Sequence, residues 1–585
     1  MKRFDIPKTE LIRRSLRSFT LAEKTVFYFL VGVFVLSGSA MLLQVNNAFL
    51  VEVPLRGGSL TEGVVGNPRF INPVLSISEA DKNLVSLVYS GLVRITPKGE
   101  VVNDLADDLK ISEDGLVYTA HIRQDAIFHD GAPVTAYDVV YTIEQITNPG
   151  TKSPYFSTWN GITVEALDDK TVEFRLKKAY VPFIENLAHG ILPKHIWQNV
   201  SEDEFSFSQF NVLPVGSGLY KIDTVERNSG GIPDYYDLEL ADKNTDGSPY
   251  ISHLIFKFYS SESDLLEAYS NGEIESMGGI SPESANDLES RGYKILSSPL
   301  PRIFGVFFNE NQSKALLDKN VRKALDLAAP KESIVKQVLF GYGTVIDSPL
   351  PQGLYPWIGE TIGEQSEETR LEDAKVILET NGWTRNAETG ILEKKSKTDT
   401  LTLSFSISTG DTPELKAVAE MLRTSWEQLG AKIEIQVYGT GDLNQNVIRP
   451  RRYDALLFGE VVGRDADVYP FWHSSQRNDP GLNIALYTNS RVDKLLEDAR
   501  SASDTAKREA AYKAFDQELK NDIPAVFLYS PNFLYAVPNK LKAPALGLLS
   551  TPQDRFLGIR DWYIETNRVC QIFIKLKNLI INPTD

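Results

Sequence analysis

Leu105 to Ile143 reads LADDLKISEDGLVYTAHIRQDAIFHDGAPVTAYDVVYTI, and this stretch decides the fold. Glu113-Asp114-Gly115 is a turn signal, because glycine tolerates the backbone of a tight reversal. The turn leads into Leu116, Tyr118, Ala120 and Ile122, an alternation that predicts a strand. Phe128-His129-Asp130-Gly131 predicts a second turn, with a locally bonded aspartate. Pro133-Val134-Thr135 then predicts a cap for a helix from Ala136, which presents Val139, Val140 and Ile143. A strand, two turns and a capped helix within one short stretch point to a mixed α/β protein.

The same patterns recur on both sides. Val172-Phe174-Leu176, Leu401-Leu403-Phe405-Ile407 and Ile433-Ile435-Val437 keep period two and predict strands. Thr412-Pro413-Glu414 supplies an N-cap, a first-position proline and an acidic first turn. Leu415, Val418, Leu422, Trp426 and Leu429 follow at helical spacing, and Gly430 closes the helix. Asp318 caps another helix, with Val321, Leu325 and Ala328 on one face. Ala511, Phe515 and Leu519 mark a third, stopped before Pro524. Strands and helices alternate from about Val53 to Thr566 without a short repeat, so the fold class is α/β with several lobes.

The first fifty residues set the location. Thr25 to Val45, TVFYFLVGVFVLSGSAMLLQV, carries no charge, and as a helix it would span roughly 31 Å, enough for a bilayer's hydrocarbon. Ahead of it stand Lys2, Arg3, Lys8, Arg13, Arg14, Arg17 and Lys24 against Asp5, Glu10 and Glu23. That basic flank is expected in the cytoplasm, with everything after Val45 outside. A cleaved signal would have a shorter apolar run and leader. Its small-residue site, Ser37-Gly38-Ser39-Ala40, would lie inside the run, so an uncleaved anchor is expected.

Composition excludes whole classes. A net charge of −17 is the wrong sign for nucleic-acid binding. Cys570 is the sole cysteine, which rules out an internal disulfide and every multi-cysteine metal site. No nucleotide-binding glycine loop occurs. Gly216-Ser217-Gly218 lacks the glycine that a nucleophile elbow needs where Val215 stands, and reads as a tight loop. Asp242, Asn244, Asp246 and Gly247 fit four positions of a calcium loop, but His253 stands where a bidentate glutamate belongs, so a hairpin turn is expected. His121, His129, His189, His195, His253 and His473 show no metal-ligand spacing. Nothing singles out a catalytic carboxylate pair, so a hydrolase reading has no motif behind it.

The Leu105–Ile143 stretch resembles the signature region of extracytoplasmic solute-binding proteins of peptide ABC importers, the oligopeptide- and dipeptide-binding family (solute-binding family 5). Other blocks follow in that family's order. They are Ala80 to Val93, Pro214-Val215-Gly216-Ser217-Gly218-Leu219-Tyr220, Phe307-Phe308-Asn309 with Val321 to Leu325, Ala374 to Trp383, and Tyr487 to Leu496. The resemblance covers about Leu55 to Thr566.

It implies a type II periplasmic-binding-protein-like fold, two lobes plus an extra domain, closing over a ligand. The implied layout is a leader over 1–24 and an anchor over 25–45. Domain I takes 55–86, 213–300 and 531–566, domain II 87–212 and domain III 301–530, with a tail over 567–585 of no assigned role. Binding without catalysis, cofactor or metal is implied, with a monomer delivering peptide to permease subunits. The same scaffold in relatives accepts nickel complexes, haem or oligosaccharides, so a non-peptide solute or a sensor role is the alternative. The implied ligand contacts are Ile77, Ser78 and Glu79 in one cleft segment, Glu460, Val461, Arg464 and Asp465 in another, and Tyr529 as a second wall. Peptide-binding relatives carry an aspartate for the peptide ammonium in the second segment. Here the count lands on Gly463 or Arg464, Asp465 fits only with a one-residue shift, and Asp467 comes next. Arg464 could instead meet a ligand carboxylate or phosphate, or simply face water.

Overall fold

The computed structural model describes residues 18–241, 248–351, 355, 357–358, 365–396, 399–464, 467–502, 504–542 and 546–570, without the side chains of 40, 42–49, 51 and 568–570. The calcium-like loop, Asp465 and most of the 567–585 tail lie outside the described residues. The chain forms two compact units.

The smaller unit contains a helix over Leu21–Phe49. It extends four residues beyond each end of the uncharged run, because Leu21–Lys24 and Asn46–Phe49 continue the backbone hydrogen-bond pattern that the apolar segment begins. Its 29 residues make a rod of about 44 Å, and Leu30, Phe34 and Leu36 stand exposed along it. Leu50–Leu55 then pairs antiparallel with Glu565–Cys570, Leu50 facing Cys570 and Leu55 facing Glu565. The start of the tail is thus a strand.

In the larger unit, Gly57–Trp562, one twelve-stranded mixed sheet runs through the molecule. Its order is Lys432–Tyr438, Ser404–Gly410, Ala455–Val461, Arg302–Phe308, Ala525–Val537, Ser276–Gly278, Ser59–Val65, His253–Tyr259, Pro233–Leu240 and Tyr220–Arg227, with Lys294–Pro299 and Gly343–Val345 also on Ala525–Val537. The thirteen-residue strand Ala525–Val537 is the spine. Its first half pairs with Arg302–Phe308, and its second half with Lys294–Pro299.

The strand and helix signals are realised in detail. Val117–Ile122 buries Tyr118, Ala120 and Ile122, and sits in a four-stranded antiparallel sheet with Ala106–Ile111, Thr171–Arg175 and Thr163–Ala166. Thr135 and Asp138 cap the helix Ala136–Thr147 reciprocally. Thr412 and Gly430 bound the helix Pro413–Leu429, with Gly430 at φ 100°, a conformation that favours glycine. Asp318 caps Lys319–Ala328. The alternation over 401–407 divides into two strands, Thr400–Thr402 and Ser404–Gly410. Val437 is exposed although it keeps phase with buried Ile433, because its strand ends the sheet. Gly216 is required by close approach: a Cβ there would lie 2.0 Å from the Val88 carbonyl oxygen.

Alternation divides the core around Arg302–Phe308 and Ala455–Val461. Val306, Phe308, Ala455 and Leu457 pack on one face, and Ile303, Phe307, Leu456 and Val462 on the other.

Candidate functional site

The sheet narrows to two crossing segments. Lys294–Pro299 runs through Leu300 and Pro301 into Arg302–Phe308, while Ala525–Val537 passes the same point at Ser530 and Pro531. Leu300 N–H donates to the Pro531 carbonyl at 3.2 Å, and Ser530 Oγ donates to the Leu300 carbonyl at 2.7 Å. Above this crossing, side chains from the two ends of the sheet meet across a cleft.

One wall is the start of the helix Glu79–Val88. Ser78 is its N-cap: Ser78 Oγ accepts from Asp81 N–H, and Asp81 Oδ2 accepts from Ser78 N–H, both at 3.1 Å, and from Ile77 N–H at 3.4 Å. The Ile77 and Ser78 amides are therefore committed internally. The Ile77 side chain is exposed and the Glu79 carboxyl partly so. Burial raises the Glu79 pKa, against the attraction of Arg555 and, across the cleft, Arg302. Arg555 Nη1 lies 3.9 Å from Glu79 Oε1.

Arg555 is itself held rigidly. Its Nε and Nη2 donate to Glu62 Oε1 at 2.9 and 2.6 Å, and its Nη1 to Asn83 Oδ1 and the Pro552 carbonyl. Glu62 Oε2 accepts from Tyr535 Oη at 2.5 Å and Ser276 Oγ at 3.0 Å. Both members of the pair are almost fully buried. This network fixes the helix start, the strand Ser59–Val65 and the spine strand as one wall.

The facing wall is the end of Ala455–Val461. Arg302 pairs with Val461 and Ile303 with Glu460. The two neighbours point opposite ways. Val461 is exposed, whereas Glu460 is 4% exposed and neither carboxyl oxygen has a hydrogen-bond partner. Burial pushes its pKa well above the ordinary carboxylate range, disfavouring the charged form. Tyr529 stacks on Phe304 at 5.0 Å within the core; its ring forms the base of the wall rather than its surface.

Beyond Val461 the chain turns at Gly463, φ 81°. Arg464 Nη2 then donates to Asp554 Oδ2 at 2.7 Å, with side chains 10% and 15% exposed. Asp554 belongs to the opposite wall, where it caps the 3-10 helix Pro552–Asp561. Arg464, Gly463, Thr344, Ser530 and Ser550 line a cavity of about 300 Å³ beside the crossing.

A second bridge closes the other flank. Asp467 accepts from Arg500 Nε and Nη2 at 2.9 and 2.6 Å, and from Tyr180 Oη at 3.4 Å. The Arg500 guanidinium lies over the Tyr469 and Tyr180 rings, 4.1 and 5.2 Å from their centres, and Val181 N–H reaches the Arg500 carbonyl. A cavity of about 1270 Å³ opens here between Tyr180, Asn186 and Ser157 on one side and Asp467, Gln476 and Arg500 on the other. A volume of this order suits an extended multi-residue ligand.

Sequence reading missed Arg302, Arg500 and Asp554. Arg302 had a signal, being the one charge in the strand RIFGVFF. Arg500 and Asp554 had none, since each acts on a partner distant in sequence.

Two residues singled out in the sequence have structural partners. Asp130 accepts from Ala132 N–H as the turn required, and its other oxygen pairs with His195 rather than His129. His253 opens a strand and pairs with Asp237 at 3.0 Å. Among the described residues, no group of three or more His, Cys, Asp or Glu could hold a metal.

The geometry combines a two-strand crossing, a cavity of about 300 Å³ beside it and one of about 1270 Å³ on the other flank. The sequence is 29% identical over 520 residues to the oligopeptide-binding protein AppA of Bacillus subtilis strain 168, covering 87% of this chain and 92% of that one. A solved structure of AppA from Bacillus subtilis in complex with a nonapeptide superposes with a TM-score of 0.65, covering 88% and 100% of the two chains at 29% identity. NikZ from Campylobacter jejuni in complex with Ni(L-His) superposes with a TM-score of 0.67 at 27% identity, covering 86% and 99%. The model of the bacterial extracellular solute-binding proteins, family 5 Middle, matches residues 100–481, well over half of the sequence, and the chain belongs to that family.

Proposed function

We propose that this protein captures peptides outside the cytoplasmic membrane, in the cleft between Glu79 and Val461, and delivers them to an ABC permease. The observation that carries the reading is the family match over residues 100–481 together with the likeness to a nonapeptide-bound relative. The cleft supports it physically. Its wall ends in an exposed strand terminus at Val461, against which an extended peptide can align by main-chain hydrogen bonds, and the adjoining cavities leave room for varied side chains.

The two ends of the sheet are the lobes in this reading. Domain I comprises 55–86, 213–300 and 531–566, domain II 87–212, and domain III 301–530. The crossings at Pro299–Arg302 and Ser530–Pro531 serve as the hinge, where few bonds need change for the walls to part. The helix Leu21–Phe49 anchors the protein in one pass, with its basic leader in the cytoplasm. The protein works as a monomer, and its activity is binding without bond-making. Recovery in the membrane fraction after an alkaline carbonate wash tests the anchor; release into the wash would refute it.

Thermal unfolding with pooled synthetic peptides of two to nine residues tests the ligand class. At a hundred times Kd, a ligand that binds only the folded state adds about 2.7 kcal/mol. A rise in Tm with peptides is expected. A rise only with Ni(L-His) or an oligosaccharide would keep the scaffold and reassign its cargo.

A further inference from the structure

We propose that the ligand presents a carboxylate to Arg464, so that this end of the cleft selects an acidic group. The proposal rests on the peptide-capture reading and specifies its chemistry.

Arg464 is a buried cation with donors to spare. Its side chain is 10% exposed, and Nη2 donates to Asp554, but Nε and Nη1 are buried without a partner. A guanidinium carries five N–H donors, and leaving such donors unpaired in the interior is unfavourable. Asp554 cannot turn to meet them. Its Oδ2 also accepts from Ser550 N–H at 2.8 Å and Thr551 N–H at 3.2 Å, and its Oδ1 from Thr551 Oγ at 2.9 Å. The carboxylate is fixed as a helix cap, and one guanidinium edge is all it can serve.

A second arginine repeats the arrangement. Arg302, the register partner of Val461, is largely buried and its Nε also lacks a partner. Glu79 attracts it across the cleft without satisfying that nitrogen. Two arginines with unused donors therefore stand near the exposed strand end, Arg302 as the register partner of Val461 and Arg464 three residues beyond it. The carboxyl of Glu460 lies buried on the other face of the strand, away from them.

The space fits the chemistry. The cavity beside Arg464, about 300 Å³, has Leu548, Pro299 and Pro351 among its apolar walls and Thr344 and Ser530 among its polar ones. That is room for one side chain or chain terminus rather than a whole peptide. A charge-assisted bond from guanidinium to carboxylate in such a place is strong and specific. An ammonium there would face the Arg464 guanidinium.

The carboxylate can come from the peptide's own C-terminus or from an Asp or Glu side chain, and one experiment separates the sources. The full-length protein in detergent is incubated with random hexapeptides, half as free acids and half as isotope-labelled C-terminal amides. Retained peptides are then identified by mass spectrometry. We expect wild type to enrich carboxylate-bearing peptides at least tenfold, and Arg464→Gln to lose most of that preference. Enrichment of free acids over amides assigns the terminus; enrichment of Asp or Glu at one position among the amides assigns the side chain. Equal retention of acids and amides without acidic enrichment in wild type would overturn the proposal, whether or not the variant folds. So would a preference that survives in a folded Arg464→Gln. If no peptide is retained, the peptide reading itself fails, and this proposal with it.

Discussion

Ser530 Oγ donates to the Leu300 carbonyl oxygen at 2.7 Å, and both residues are buried at the point where the sheet passes from one wall of the cleft to the other. This bond ties the two crossing segments to each other. Ser530→Ala leaves a buried carbonyl without that donor, at a cost of about 1–2 kcal/mol. Hydrogen exchange at the Leu300 amide should accelerate about tenfold, since 1.4 kcal/mol is a factor of ten in local opening. Unchanged exchange would show that the segments do not depend on this bond.

Asp467 and Arg500 predict a change in closure. Arg500→Ala removes the three hydrogen bonds to Asp467 and the stacking on Tyr469 and Tyr180. Breaking such a part-buried bridge should cost the closed form about 1–3 kcal/mol, read as a roughly five- to 150-fold weaker ligand Kd. Arg500→Lys, which keeps the charge but loses the planar fork, should fall between. Equal affinity in all three proteins would remove this bridge from the closing mechanism.

Glu62 and Arg555 predict a stability effect. The pair is nearly fully buried and its hydrogen bonds are satisfied on both sides. Removing one partner strands the other charge, and Arg555→Met should destabilise the protein by about 3–5 kcal/mol. Denaturant unfolding measures this. A loss below about 1 kcal/mol would contradict the view that this network holds the wall behind Glu79.

Glu460 predicts a pH dependence with a definite sign. Its pKa is raised in the folded protein by burial, so the folded state holds a proton that the unfolded chain releases above about 4.3. Stability then falls as pH rises through that value, by about 1.4 kcal/mol per pH unit until the folded group ionises. Glu460→Gln removes this slope. The variant should melt several degrees above wild type at pH 7, and the gap should vanish near pH 4. A gap that does not change with pH would show that Glu460 does not titrate differently on folding.

Much of the fold was legible because the signals were local. Thr135, Asp318, Thr412 and Gly430 announce helix ends through their own side chains or backbone freedom, and the structure uses each of them so. The site was legible only in outline. Resemblance named Ile77–Glu79, Glu460, Val461, Arg464 and Asp465, but period two alone did not say which of Glu460 and Val461 faces inward, since that depends on pairing with Arg302–Phe308. Arg464 meets Asp554 ninety positions away, a contact that no spacing rule contains. Arg500 is hidden in a charged helix end, SRVDKLLEDARS, where a solvent-facing role would look the same.

Native mass spectrometry of the full-length protein in detergent, purified without denaturation and read before and after unfolding, tests peptide capture most directly. A ladder of small peptide masses, released on unfolding, is the predicted result. A single non-peptide mass in its place would contradict peptide capture.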